Sequence, residues 1–301
     1  MTRALITGSM GFVGKHLGEY LRRSGDEVIG VDRNCDVTDL DIVTRTFNEH
    51  RPDVIYHLAA LTHVGESWND PGRFTRVNVL GTANVLKAAR MAVPASLVLL
   101  VSTADVYGVV GEGDLPLRES HPPVPANPYA QSKREAEQIA FDAVRHEHQR
   151  VIVARPFNHI GPGQSVQFVV PALVSRLLEA RAQGLGEIPV GDLSPRRDFT
   201  DVRDVVRAYR LLSTFGTSGE IYNVASGQNI AMIDLAQQLV TLLCPGVRLV
   251  PEASLFRPVE IPVMRGSAQK LHDATGWEPT IPLRTSLADV VSDVQLRRGV
   301  H

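Results

Sequence analysis

The chain has 301 residues, 44% of them hydrophobic and 21% charged, with a formal net charge of −2. That length supports a large core, in one big domain or two interlocked ones. A balance so near neutral argues against a nucleic-acid or anionic-membrane surface, so neither partner is expected and an anionic ligand must be met by a few local cations.

"MTRALITG" enters a strand at once, with no charged-then-apolar leader. No apolar run approaches the ~18 residues of a membrane helix. Cys35 and Cys244, the two cysteines, show no ligand or redox spacing and read as reduced packing residues. The expectation is a cytoplasmic protein without a metal site.

The first strand, "ALIT", leads through "GSMGFVG" into a helix over 12–23. Gly8, Gly11 and Gly14 are spaced three and three. Such a loop needs a tight turn, close backbone approach to a pyrophosphate and close packing of helix on sheet. The helix N-terminus then offers free N–H groups to phosphate. The second strand, "EVIGV" (27–31), is followed by Asp32, placed for the adenosine ribose hydroxyls of a dinucleotide. Arg33 stands beside it. The carboxylate disfavours a 2′-phosphate and the arginine attracts one, so the pair favours NADH and tolerates NADPH.

A helix over 39–49 and a strand "DVIYHL" (53–58) follow. The helix over 75–91, "TRVNVLGTANVLKAARM", is apolar on more than one face, which implies burial and makes a homodimer the expected assembly. The fourth strand, "SLVLLVS" (96–102), ends at Ser102 and Thr103. In an open α/β sheet, ligands bind beyond the carboxyl ends of the strands, which places these hydroxyls at the crevice. "NPYAQSK" (127–133) supplies a helix cap in Asn127, a first helical residue in Pro128, and Tyr129 and Lys133 on one face of a helix over 129–147. "RVIVARP" (150–156) is the fifth strand. Apolar strands alternating with helices imply an α/β fold built on a parallel sheet covered on both faces.

After residue 160 the alternation breaks. "GPGQS" and the Gly/Pro-rich stretch 184–195 mark loops around a helix near 168–182. "DVRDVVRAYRLLSTF" and "EIYNVAS" restore a helix and a strand, and residues 227–301 close with two or three helices and short strands. The implied organisation is a dinucleotide-binding domain over 1–160, with return segments about 200–226. A smaller, interleaved α/β substrate-binding cap would comprise 161–199 and 227–301.

At this point the chain resembles the extended short-chain dehydrogenase/reductase family that acts on nucleotide sugars. The likeness runs through "TGSMGFVG", "CDVTD", "HLAA" (57–60), "VNVLGT" (77–82), "VSTADVYG", "NPYAQSK", "RPFNHIGPGQ", "RRDFTDVRD" and "YNVAS". It implies a Rossmann-type doubly wound sheet, with Tyr129 as acid/base, Lys133 holding the nicotinamide ribose and Thr103 bonding the substrate oxygen. A lysine cation close to a tyrosine favours the phenolate, which brings an ordinary pKa of about 10 towards working pH. By position in the same motifs, the resemblance places Gly8, Met10, Gly11, Phe12, Val13, Gly14, Asp32, Arg33, Asp36, Val37, Leu58, Ala59 and Ala60 at the cofactor. Asn78, Val101, Tyr129, Lys133 and Pro156 complete that set.

Within this family the 4,6-dehydratases carry an Asp or Ser and then a Glu directly after the catalytic threonine. Here Thr103 is followed by Ala104 and Asp105, and Ala104 can relay no proton, so dehydration is disfavoured. "ARPFNHIGPGQS" with "FVVP" (168–171), "GDLSPRRDFTDVRDVVRAY" and "MRGSAQKLHDATGW" (264–277) look most like the branch that reduces GDP-4-keto-6-deoxy-D-mannose to GDP-D-rhamnose. The resemblance gives the substrate Thr103, Asp105, Tyr129, Asn158, Gln164, Phe168, Val169, Arg197 and Arg257. Asn158 and the two arginines would lie on the diphosphate side and Gln164, Phe168 and Val169 towards the nucleoside. The alternative reading of Arg197 is an ion pair with Asp198 or Asp201. A UDP-hexose 4-epimerase with tightly bound NAD, a 4-keto reductase for another 6-deoxy sugar nucleotide, and a dinucleotide-binding redox sensor without turnover stay open as alternatives.

Overall fold

The computed structural model describes residues 1–256 and 259–299. Six strands form one sheet: β1 (Arg3–Thr7), β2 (Glu27–Val31), β3 (Val54–His57), β4 (Leu97–Val101), β5 (Arg150–Pro156) and β6 (Ile221–Val224), in the order β6-β5-β4-β3-β1-β2. Every neighbouring pair is parallel. The chain winds outward from β1 to β2, then crosses back to β3 on the other side of β1. The crevice between β1 and β3 is therefore the switch point where ligands of such sheets bind. The expected Rossmann-type doubly wound sheet is present.

Helices cover both faces. On one side α1 (Phe12–Arg23) and α6 (Val202–Phe215) bury Leu17, Leu21, Val205 and Leu212 against Ile6, Leu99 and Ile152. On the other, α2 (Leu40–His50), α3 (Gly81–Ala92) and α4 (Pro128–Glu147) bury Phe47, Val85, Ala89 and Ala140 against Leu5, Ile55 and Val98. A parallel sheet buried on both faces needs apolar residues at successive positions, and β3, which carries no exposed residue, meets that need.

A separate apolar cluster joins α5 (Val169–Gln183), α7 (Met232–Leu243) and α8 (Leu283–Arg298) through Leu177, Leu235, Leu239 and Val290. Three two-stranded ladders stitch the later segments together: 158–160 with 199–201, 187–190 with 248–251, and 196–197 with 230–231. None of them is evident in the sequence, because two to four residues are too short for an alternating pattern to show.

The helix expected over 75–91 is one rod of two kinds. Thr75–Leu80 is a π-helical stretch that runs into α3. A π-turn widens the helix locally and often marks a functional position. Here it carries Asn78. Two short helices before it, Val64–Asn69 and Pro71–Phe74, were not foreseen either. Among the described residues no helix is long and apolar enough to cross a membrane.

Candidate active site

Gly8 follows β1 with φ +73°, a conformation that side chains rarely adopt, and a Cβ on it would sit 2.9 Å from the Ala59 nitrogen. A Cβ on Gly14 would meet the Gly8 carbonyl at 2.3 Å. The loop is thus pressed between the start of α1 and the "HLAA" segment, and Gly8, Gly14, Leu58 and Ala59 meet as the motif requires. No side chain caps α1 and no acid occupies its first turn. The first-turn amides of α1 are thus left uncapped by any side chain, the arrangement that suits a pyrophosphate. Such a cradle fits a dinucleotide.

Asp32 closes the far side of the loop: its carboxylate accepts a hydrogen bond from the Met10 amide at 3.0 Å and one from the Arg33 amide at 3.0 Å. Arg33 is exposed. Asp36 accepts from both the amide and hydroxyl of Thr38 and lies near the Arg76 charge, all of which lower its pKa. Val37 is buried, and its carbonyl receives the Asn84 amide. Asn78 ties the crevice together. Its Oδ1 accepts from the Leu61 amide at 2.8 Å, while its Nδ2 donates to the Leu61 carbonyl at 3.0 Å and to Ser132 Oγ at 2.9 Å. Val101 and Pro156 stand at the ends of β4 and β5, where they pair with Ala154 and Val224.

The helix carrying Tyr129 and Lys133 starts as its sequence dictates. Asn127 Oδ1 accepts from the Ala130 amide at 2.8 Å, and Pro128 occupies the first helical position. Both Tyr129 and Lys133 are buried, at 8% and 5% exposure, and Thr103 beside them is equally enclosed. The Thr103 hydroxyl hydrogen-bonds the Tyr129 phenol and also accepts from the Asp105 amide at 3.2 Å. Phe74 meets the Tyr129 ring edge-on with centroids 6.4 Å apart.

The electrostatics depart from expectation in one respect. Burial and the Asp105 carboxylate raise the Tyr129 pKa, and only the Thr103 hydrogen bond pulls it down. Lys133 was expected to favour the phenolate. Instead the enclosed site penalises both charged forms, so the phenol keeps its proton. The Lys133 amine is itself pushed down to about 8 by burial, against the pull of the Glu137 carboxylate.

His57 sits between the cofactor loop and Lys133, pushed down to about 3 by burial and by the Lys133 charge. Its Nδ1 lies 2.8 Å from Thr7 Oγ1 and its Nε2 lies 3.1 Å from Thr82 Oγ1. Thr82 donates to the Asn78 carbonyl, and Thr7 accepts from the Ala59 amide. These bonds assign the proton to Nε2 and make the ring a neutral strut between Thr7 and Thr82.

The substrate-side residues divide into groups. Asn158 is exposed and pairs in register with Phe199. Gln164 is buried and donates through Nε2 to the His159 carbonyl at 3.1 Å, leaving its Oε1 without a partner. Phe168 meets the His63 ring edge-on at 6.4 Å, and Val169, at the start of α5, is 37% exposed. His159 stacks on Phe12 at 6.0 Å with 9° between planes, so the first turn of α1 also braces this side. Arg197, 9% exposed, forms its ion pair with Glu260 rather than with Asp198 or Asp201. Asp198 receives Ser226, Gly227 and Gly266 amides instead, and Asp201 is held by Arg203 and Ser286. Arg257 lies outside the described residues.

The sequence reading passed over one polar group, Glu137 with Arg155. Both signals were present: Glu137 is four residues beyond Lys133, on the same helical face, and Arg155 is a charge inside an apolar strand, which must be paired when buried.

A glycine cradle at the switch point, with a Thr–Tyr–Lys set closing on it, defines a dinucleotide-dependent enzyme fold of the short-chain dehydrogenase kind. The chain belongs to the NAD dependent epimerase/dehydratase family, whose model matches residues 4–225. Over 299 residues, 98% of this chain and 98% of the other, it is 40% identical to the GDP-6-deoxy-D-mannose reductase of Pseudomonas aeruginosa. It is similar to a solved structure of RMD from Pseudomonas aeruginosa complexed with NADPH. The TM-score is 0.91 at 39% identity, over 99% of this chain and 100% of that one. A Thermus thermophilus UDP-glucose 4-epimerase in complex with NAD superposes with a TM-score of 0.86 at 28% identity, covering 97% and 99%.

Proposed function

We propose that the chain is an NAD(P)H-dependent oxidoreductase that reduces the C4 keto group of GDP-4-keto-6-deoxy-D-mannose to GDP-D-rhamnose. The observation that carries this reading is the 40% identity, over nearly the whole of both chains, with a GDP-6-deoxy-D-mannose reductase. Ala104 directly after Thr103 agrees with it, since an alanine supplies no acid for dehydration.

The bound dinucleotide would supply the hydride. The amides opening α1 would hold its pyrophosphate, and Asp32 with Arg33 its adenosine ribose. Tyr129, kept protonated by its enclosed site, would donate its phenolic proton to the C4 oxygen. Thr103 would hold that oxygen as negative charge develops on it. Lys133, cationic at neutral pH, would bond the nicotinamide ribose and stabilise the phenolate left behind. Asn158 and Arg197 would face the diphosphate, Arg197 turning from Glu260 to the bidentate acceptor that suits its planar fork. Gln164 Oε1 offers an acceptor to a nucleobase amine. Residues 161–199 and 227–301 would make up the cap that closes over the sugar nucleotide, and a homodimer would cover the half-exposed Leu80 and Met91.

The competing reading is a 4-epimerase, which shares the same three residues. An epimerase keeps its dinucleotide through oxidation and re-reduction, whereas a reductase must exchange it each turn. The deciding assay follows loss of the reduced-cofactor absorbance with GDP-4-keto-6-deoxy-D-mannose, beside product analysis with UDP-galactose. Stoichiometric oxidation with the 4-keto sugar is expected. Conversion of UDP-galactose to UDP-glucose without added cofactor, and no oxidation by the 4-keto sugar, would overturn the reading.

A further inference from the structure

We infer that Glu137 is a positioning residue for the Thr103–Tyr129–Lys133 set, locking α4 against the end of β4 and supplying the counter-charge that faces Lys133. The inference rests on the catalytic roles proposed above. Glu137 has no exposed surface, yet its carboxylate accepts four hydrogen bonds. Ser102 Oγ donates to Oε1 at 2.6 Å, Arg155 Nε to Oε1 at 2.8 Å, Arg155 Nη2 to Oε2 at 2.7 Å, and Arg134 Nη1 to Oε2 at 3.3 Å.

Three of these bonds cross between elements. Ser102 is the residue before Thr103, and Arg155 is the penultimate residue of β5. One carboxylate therefore fixes how far the Tyr129 helix stands from the Thr103 strand end, the separation on which the phenol–hydroxyl bond depends. Arg155 is held in turn with its guanidinium 4.8 Å above the Tyr107 ring, whose hydroxyl donates to Asn223 Oδ1 at 2.8 Å. Charge-assisted, bidentate bonds of this kind set geometry as well as energy.

The charges around Lys133 make the second half of the case. His57, facing it from β3, is neutral. Asp105, from the turn after β4, acts on Tyr129. Glu137, buried one helical turn beyond Lys133 on the same face of α4, is the anion that acts on Lys133 itself. Around Glu137 stand Arg134 on its own helix and Arg155 from β5, with Tyr107 and Glu119 behind Arg155.

Glu137→Gln would leave the Arg155 charge buried and unpaired, which is strongly destabilising, so it cannot decide the matter alone. A triple variant, Ser102→Ala with Glu137→Met and Arg155→Met, removes the bridge and its partners together. Melting temperature, the pH profile of kcat with the 4-keto sugar, and the Lys133 Nζ titration by NMR are measured for it, the wild type and Glu137→Asp. The triple variant is expected to fold, to lower the Lys133 midpoint by about one unit or more, and to lose roughly fivefold or more in kcat at pH 8. Glu137→Asp, which keeps the charge, should retain the wild-type midpoint while lowering kcat. A wild-type midpoint and pH profile in the triple variant would show that the network only stabilises, and the inference would fall. If the wild type itself oxidises no NAD(P)H, the functional reading falls, and the Lys133 titration still decides the role of Glu137.

Discussion

Tyr129 has its phenol enclosed, hydrogen-bonded to Thr103 and raised in pKa by burial and by Asp105. The acid form is therefore present through neutral pH, but a pKa raised away from working pH weakens the phenol as a donor, so the Thr103 bond and the Lys133 cation must favour the phenolate as the proton leaves. Tyr129→Phe should therefore lower kcat by about 10²–10⁴-fold, the usual share of general acid catalysis, while leaving dinucleotide affinity nearly intact. Near-wild-type turnover in that variant would remove Tyr129 from the mechanism. Lys133 sets the pH window. Its amine is depressed from 10.5 to about 8, so the cation is present at neutral pH and is lost as pH rises through that value. Reduction should fall along an alkaline limb centred near the same pH, measured as kcat against pH with saturating cofactor. Asp32 is the residue that discriminates between cofactors. With its carboxylate bonded to the Met10 amide and Arg33 exposed next to it, Asp32→Ala should shift the ratio of kcat/KM for NADH and NADPH towards NADPH. An unchanged ratio would mean that Asp32 does not stand at the ribose.

At the scale of elements, most of the sheet domain was legible, and for identifiable reasons. The strands at 3–7, 27–31, 54–57, 97–101 and 150–156 are apolar runs bounded by turn residues, and α4 announces itself through Asn127, Pro128 and its spaced alanines. What escaped notice depends on contacts distant in sequence. The two-stranded ladders are too short to carry a period, the π-turn at Thr75–Leu80 has no compositional mark, and the Arg197–Glu260 pair joins residues 63 apart. The pKa of Tyr129 was misread for a related reason: helical spacing gives proximity to Lys133 but says nothing of burial, and burial won. The glycine loop was both visible and stringent. Gly8→Ala would place a methyl group 2.9 Å from the Ala59 nitrogen on a backbone with φ +73°. It should weaken dinucleotide binding well beyond any loss of melting temperature, as titration of intrinsic fluorescence with NADPH would read. Wild-type affinity in Gly8→Ala would mean that the β1–α1 turn does not hold the cofactor.

Over the whole molecule, the chain leaves the sheet after β5, returns for α6 and β6, leaves again, and comes back a last time at residues 269–281. That final return is anchored by burial and by hydrogen bonds to α6. Trp277 is fully buried, and its indole nitrogen donates to the Asp204 carbonyl at 3.0 Å. The Asp204 carboxylate accepts from the Thr280 amide and hydroxyl, from the Ile281 amide at 2.9 Å, and from Arg207 at 2.8 Å. Leu271 and Trp277 lie in the same apolar cluster as Ile6, Leu99 and Val205. A late segment thus completes the core beneath the first strand, and no cut between early and late parts of the chain leaves that core closed. Trp277→Ala should cost about 3–5 kcal/mol, the range for deleting a large buried aromatic side chain. Because the cluster spans β1, α6 and the 269–281 segment, the loss should lower a single cooperative transition rather than free the C-terminal part alone. Denaturant unfolding followed in parallel by far-UV circular dichroism and by tyrosine fluorescence tests this. Coincident curves shifted to lower denaturant are expected. Two separated transitions, or a loss under about 1 kcal/mol, would show that the last return is an appendage to a sheet already complete without it.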